Sequence, residues 1–317
     1  MILILSEPEV ERLLPMEACI DVMSEALAAL ARGEMYQPLR AVARPPDAPG
    51  LIGLMPAYRS AAPAAFGLKA VNVMPGNPAR GLDAHQGAVL ISDGDTGELR
   101  AIVNASAITA IRTAAVSAVA TRALARDDAR ELAILGAGVQ GHSHLDALPR
   151  VRGFREIRVA SRTPANAAAL AALHPAARPV GSFEEAVTGA DVVCCCTDTH
   201  QPVIRAAWLA PGAHVSSVGG IFGPELDADT VRAGRVFVEW RGAASNPPPA
   251  GAHELQGLDG DGVTELGEVL AGTLPGRTSD QEITVYKSTG HAVEDAAAAR
   301  LVYERARQAG AGVTVTL

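Results

Sequence analysis

The chain has 317 residues, 48% apolar and 20% charged, a balance that permits a sizeable core and excludes wholesale disorder. Its 27 Lys and Arg against 35 Asp and Glu leave a net charge of −8, which argues against nucleic acid or an anionic membrane as partner. Its cysteines are Cys19 and the run Cys194, Cys195, Cys196, with no spaced disulfide framework and no CxxC pair, so a reduced, cytoplasmic compartment is expected.

The apolar start MILIL is too short for a signal peptide, and no stretch approaches a transmembrane length. Residues 6–33 carry apolar side chains at three- and four-residue spacing (Val10, Leu13, Leu14, Ile20, Met23, Leu27, Leu30), which predicts one amphipathic helix closed by Gly33. Prolines then punctuate short apolar pieces over residues 37–77, a pattern of short strands and turns. Residues 88–92 and 99–103 flank DGDTGE as a hairpin. Its Asp93, Asp95 and Glu98 lack the remaining ligands of a calcium loop. Residues 106–124 form an Ala-rich helix.

Beyond Asp128 the rhythm becomes strand, glycine turn, helix, strand. Strands are predicted at ELAILG, EIRVAS, 190–197, 214–218 and 235–238, with helices at 142–148 and 164–173. This alternation predicts a doubly wound parallel sheet. Residues 242–262 read as a Pro- and Gly-rich loop, and 265–270 and 291–307 as helices.

The sharpest local signal is Gly136-x-Gly138-x-x-Gly141, enclosing Val139 and Gln140. A strand runs into it and a helix leaves it. Glycine there allows the tight turn and the close approach of a pyrophosphate to the helix N-terminus, so a dinucleotide is expected. The second strand ends in Ser161, Arg162, Thr163 with no carboxylate, which suits a 2′-phosphate: NADP(H) is preferred and NAD(H) possible. His142 and His144 lie two apart on a helix and face different sides, and His253-Glu254 does not continue to HExxH. No metal site is predicted.

QPLRAV, LMPAY, GLKAVN, ITAIRTAAVSAVATRAL, ILGAGVQ, GADVV, PGAHVSSVGG, ELGEVLAG and VYKSTGHAVEDAAAARLVYE occur in the order seen in the ornithine cyclodeaminase/mu-crystallin family, which the chain resembles over nearly its whole length. The resemblance implies a Rossmann domain (116–289) and a second α/β domain built from both chain ends (1–115 and 290–317), which dimerises and binds substrate. It places Arg40, Lys69 and Arg112 on the substrate carboxylate, a role that suits cations in a shielded site. His85, in DAHQG, corresponds to a family His-Gln near the nicotinamide, where it could donate a proton or a hydrogen bond. Cofactor contacts carried over are Thr113, Thr197, Val218, Lys287 and Ser288.

Two departures choose among family activities. Gly53 precedes LMP where cyclodeaminases carry an acid, and Ile221 follows the glycine pair where they carry Asp. The resemblance is therefore closest to the ketimine reductase branch. The expected enzyme is an NAD(P)H-dependent imine oxidoreductase of proline metabolism, reducing Δ1-pyrroline-2-carboxylate or Δ1-piperideine-2-carboxylate to proline or pipecolate. The alternatives are ornithine cyclodeaminase, an alanine dehydrogenase-like activity, and a non-catalytic NADPH-dependent binder. Ala-rich residues 102–123 and 292–303 carry more apolar surface than one small domain can bury on one face, which predicts a homodimer.

Overall fold

The computed structural model describes residues 1–258 and 260–316. Its backbone divides into two units: Met1–Arg112 with His291–Leu317, and Thr113–Gly290.

The first unit opens with β1 (Ile2–Leu5), α1 (Glu7–Leu13) and α2 (Met16–Ala31). The single helix expected over 6–33 is thus broken. Pro15 offers no N–H and crowds the residue before it, so Leu14 leaves helical geometry (φ −117°, ψ 67°) and α2 starts afresh. Ser6 starts α1, donating from its backbone N–H (2.8 Å) and hydroxyl (2.6 Å) to Glu9. Short β2 (Met35–Tyr36) and β3 (Ala41–Ala43) precede the long strands β4 (Leu51–Arg59), β5 (Ala65–Val73), β6 (His85–Asp93) and β7 (Leu99–Asn104). These four form an antiparallel meander in which Met55 faces Lys69, and Lys69 faces Val89. Asp93 shapes the β6–β7 turn by accepting the N–H groups of Asp95 (3.1 Å) and Thr96 (3.0 Å), a turn role rather than a cation role.

Helix α3 (Ala105–Leu124) follows. With 20 residues and a mean hydropathy of 1.2 it is long and apolar enough to cross a membrane, contrary to the sequence expectation. However, 72% of its most apolar 18-residue stretch is buried inside the protein, as in a core helix. Ala114, Ala115, Ala118, Val119 and Ala120 are wholly buried.

The second unit contains β8 (Glu131–Leu135), α4 (Val139–Ala147), β9 (Glu156–Ala160), α5 (Pro164–Ala171), β10 (Ala177–Pro179), α6 (Phe183–Val187), β11 (Val192–Cys195), β12 (His214–Ser217), α7 (Ala228–Ala233), β13 (Gly234–Val238), α8 (Gly242–Ser245), β14 (Val263–Glu265), α9 (Leu266–Leu270) and β15 (Ile283–Lys287). Its strands pair in parallel in the order β10-β9-β8-β11-β12-β15-β13-β14. This is a doubly wound sheet whose order reverses between β8 and β11, the switch point at which such sheets bind ligands.

The chain then returns to the first unit with α10 (Ala292–Ala309) and β16 (Val313–Val315). β16 pairs antiparallel with β1, so both chain ends complete one sheet, ordered β16-β1-β7-β6-β5-β4-β2. Helix α10 packs on α2 and on the face of β4 and β5 that carries Met55 and Lys69. Ala298, Ala299 and Val302 of α10 are fully buried. The apolar surface of α3 and α10, from which dimerisation was inferred, is therefore largely consumed within the chain. Exposed apolar residues lie instead on the other face of the meander: Ile52 (37%), Leu54 (39%) and Phe66 (49%).

Candidate active site

In the second unit, the glycine turn between β8 and α4 is built for close approach. Gly136 adopts φ +106°, where a side chain is strained, and a Cβ there would lie 2.4 Å from the Cys196 carbonyl oxygen. A Cβ at Gly141 would lie 2.3 Å from the Gly136 carbonyl oxygen, so α4 packs directly on the turn. A Cβ at Gly138 would meet nothing within 4 Å. Gly138 caps α4, whose first N–H groups and positive dipole end face this open space. Val139 is exposed, and Gln140 Oε1 is buried without a hydrogen-bond partner among the described residues. An anion-tolerant opening, glycines that a Cβ would block, and an unpartnered amide oxygen fit a dinucleotide.

The end of β9 carries Ser161, Arg162 and Thr163 as expected, with Arg162 and Thr163 exposed. Locally the sequence has no carboxylate, but the fold supplies one: Arg162 Nη2 donates to Asp198 at 3.0 Å. Both side chains are largely exposed, so their pairing is weak and easily exchanged for another anion.

Thr197, Val218 and Lys287 lie at the carboxyl ends of neighbouring parallel strands β11, β12 and β15, and Ser288 follows Lys287. Three of these four already have strong internal partners. Thr197 donates through its N–H (2.7 Å) and hydroxyl (2.6 Å) to buried Glu225. Lys287 is 1% exposed; its ammonium donates to Ser217 Oγ and the Gly219 carbonyl, both at 2.8 Å, and pairs with Glu254 at 3.1 Å. Ser288 donates its hydroxyl to buried Glu239. With its three donors engaged, Lys287 ties together the strand ends at which the resemblance implied a cofactor contact.

The first unit gathers the predicted substrate residues. Lys69 and Arg112 are each 4% exposed. Lys69 Nζ donates to Asp295 Oδ1 and Thr109 Oγ1, both at 3.1 Å. Arg112 donates through Nε to the same Asp295 oxygen (2.9 Å) and through Nη1 to Glu294 (2.6 Å). Glu294 and Asp295 lie in the first turn of α10, where the helix dipole favours carboxylates. Gln37 accepts the N–H of Ala292 at the same helix start, which brings the segment carrying Arg40 to this point.

The electrostatics follow from burial. Burial pushes the Lys69 ammonium down from 10.5 to about 8, against the opposing pull of Asp295 and with help from Arg112 and Arg40. Burial alone would raise the Asp295 carboxyl; Arg112 and Lys69 outweigh it, and the net shift is downward. Burial first, then Lys69, pushes His85 down, so it is a neutral imidazole near pH 7. In that state His85 can donate or accept a hydrogen bond. His291, the cap of α10, falls to about 3 through burial and the field of Arg40. Arg40, Lys69 and Arg112 therefore form one cationic cluster, and neutral His85 lies in its field.

Sequence reasoning missed the acidic partners. Two adjacent acids in the Ala-rich run AVEDAAAA were the available signal, since charge in an apolar helix needs a buried counter-charge. It also missed Asp198, Glu225 and Glu239, which reach their partners only through the sheet order. Gly53 shares the face of β4 that carries Met55, and a Cβ there would make only ordinary contacts with Val71. Ile221 is 41% exposed.

Removing a shared carboxylate leaves two buried cations under-compensated. Asp295→Asn is therefore expected to lower stability by about 3–5 kcal/mol. Urea denaturation checks this; a loss under about 1 kcal/mol, typical of an exposed pair, would contradict it.

The family model for the ornithine cyclodeaminase/mu-crystallin family matches residues 2–310. The ketimine reductase mu-crystallin of Mus musculus is 39% identical over 291 residues, 90% of this chain and 91% of that protein. A Δ1-pyrroline-2-carboxylate reductase of Bacillus cereus is 34% identical over 322 residues, 98% of each chain. The solved structure of Thermococcus litoralis Δ1-pyrroline-2-carboxylate reductase with NADH and L-proline aligns with a TM-score of 0.93 and 33% identity, covering 99% of this chain and 100% of that one. The chain belongs to the ornithine cyclodeaminase/mu-crystallin family.

Proposed function

We propose that the protein reduces cyclic ketimine carboxylates, Δ1-pyrroline-2-carboxylate or Δ1-piperideine-2-carboxylate, to proline or pipecolate. It is an imine oxidoreductase that works with a nicotinamide dinucleotide. The observation that carries the ring-imine reading is the pair Lys69 and Arg112 on one shared carboxylate, with Arg40 close enough for its charge to act on Lys69.

The division of labour is as follows. The glycine turn of Gly136, Gly138 and Gly141 receives the pyrophosphate, and when bound, the reduced nicotinamide supplies the hydride. Arg40, Lys69 and Arg112 hold the substrate carboxylate, and the planar fork of Arg112 fixes its orientation. Asp295 remains ionised, and its Oδ2 is buried without a partner among the described residues. That oxygen is an acceptor for the N–H of a protonated ring imine, the better electrophile for hydride. Neutral His85 contributes a hydrogen bond. Positioning, more than a strong acid, carries the rate.

A cyclodeaminase reading has one feature in its favour, the carboxylate of Asp295 beside Lys69. Its downward shift keeps it charged, however, and Gly53 and Ile221 supply no second acid. A panel assay separates the readings. The expected result is NADPH or NADH oxidation with the cyclic imines. Rapid ammonia release from ornithine would overturn the proposal in favour of a cyclodeaminase, and bound dinucleotide without turnover would favour a binder.

NADP(H) is the proposed preference, because a 2′-phosphate can take Arg162 from its exposed partner Asp198, with Ser161 and Thr163 beside it. One charge-assisted contact is worth about 1.5–3 kcal/mol, roughly ten- to a hundredfold in affinity. Arg162→Asp should reverse the order of affinities measured by fluorescence titration; equal wild-type affinities would contradict it.

A cytoplasmic homodimer is also proposed, now through the outer meander face of Ile52, Leu54 and Phe66, which is left partly exposed. Sedimentation should give a dimer at micromolar concentration and a monomer for Leu54→Asp. A monomeric wild type would refute it.

A further inference from the structure

The second unit places three metal-ligating side chains together that neither the glycine turn nor the cation cluster uses. His144 from α4 and Cys194 and Cys196 from the end of β11 have their ligand atoms within 4.8 Å of one another. The two cysteines are two residues apart on an extended segment, so they share a face, and their sulfurs are 3.6 Å apart. A tetrahedral centre with metal–sulfur bonds of about 2.3 Å separates its sulfurs by about 3.8 Å. The pair is already at that spacing.

The imidazole is oriented for the same purpose. His144 Nδ1 lies 2.7 Å from the Gln140 carbonyl oxygen, which can only accept, so Nδ1 carries the proton. The lone pair is then on Nε2, directed at Cys196 and at the Ser117 hydroxyl, 2.9 Å away. A backbone carbonyl fixing the remote nitrogen is the usual support of a metal-bound histidine. His144, Cys194 and Ser117 are fully buried, while Cys196 is partly exposed and gives a route in.

We propose that His144, Cys194 and Cys196 form a binding site for a thiophilic divalent cation of the zinc type, with the Ser117 hydroxyl beside the fourth position. Charge selects the divalent ion. Two thiolates, a neutral imidazole and a 2+ cation sum to zero, which suits a buried place. The metal takes cysteines as thiolates, so binding releases the two thiol protons. Cys195 does not take part, because its side chain packs into the opposite apolar core.

The test titrates the full chain, stripped of metal and dinucleotide, with Cd2+, and follows the ultraviolet cadmium–thiolate absorption and the protons released. The expected result is saturation at one equivalent, two protons per ion, displacement by Zn2+, and a raised melting temperature. Cys194→Ala and Cys196→Ala should each weaken binding by at least about a hundredfold, beyond the loss expected for a supporting residue. Cys19→Ala should not. His144→Ala should keep the thiolate absorption with weaker binding, which provides a second readout should a cysteine variant fold poorly. Absent saturable absorption, unchanged binding in Cys194→Ala, or a signal lost in Cys19→Ala would overturn the proposal.

Discussion

Asp295 sits between two buried cations that would otherwise repel each other: Lys69 from β5 and Arg112 from α3 both donate to its Oδ1. Desolvating one ammonium and one guanidinium is costly, and neither would be kept without a carboxylate at bonding distance. The requirement explains why α10, arriving from the far end of the sequence, must end its path with its first turn at this point. It also explains the accessory parts: Gln37 meets the N–H of Ala292, and Glu294 takes the other side of Arg112. The same network that anchors a helix therefore gathers buried cations at one point and leaves one Asp295 oxygen without a partner among the described residues.

The second unit answers a different constraint. A diphosphate must approach backbone closely, so the turn after β8 is built from glycines whose missing side chains are replaced by the Cys196 and Gly136 carbonyls. The neighbouring strand ends are then locked by buried carboxylates. Glu225 holds Thr197, Ser217 and the Gly219 N–H, while Glu239 holds Tyr286, Ser288 and the Thr289 N–H. These contacts keep the loops at the carboxyl edge of the sheet in place before any ligand arrives, which reduces the ordering cost of binding.

What the sequence made legible follows from how local each signal is. The glycine turn, the β6–β7 hairpin and the strand–helix alternation are written in adjacent residues, and the structure has them at those positions. The break at Pro15 was legible too, yet apolar spacing on both sides of it outweighed the proline in the reading. Strands β10, β14 and β16 have three residues each, too few to show alternation. β15, ITVYK, is buried along nearly its whole length and mixes Thr and Lys with apolar residues, so it shows no period of its own. The cations of the site were found through family motifs, whereas Asp295 and Asp198 become partners only through tertiary contacts across 226 and 36 residues. His144, Cys194 and Cys196 meet only because β11 lies against α4, which the spacing of the histidines along their helix does not show.

The central claim is that the buried Lys69 ammonium, beside Asp295, holds the substrate anion. Its ordinary value of 10.5 is lowered to about 8, so it is protonated below that pH and neutral above it. The direct measurement is kcat/KM for the cyclic imine as a function of pH in the wild type and in Lys69→Arg, since this ratio reports groups of the free enzyme. The account predicts that wild-type kcat/KM falls relative to that of Lys69→Arg, whose guanidinium stays charged, as pH rises through about 8. Ionisation of the substrate itself is common to both and cancels in the comparison. The same bend in both enzymes, or a flat wild-type profile across that range, would contradict the account.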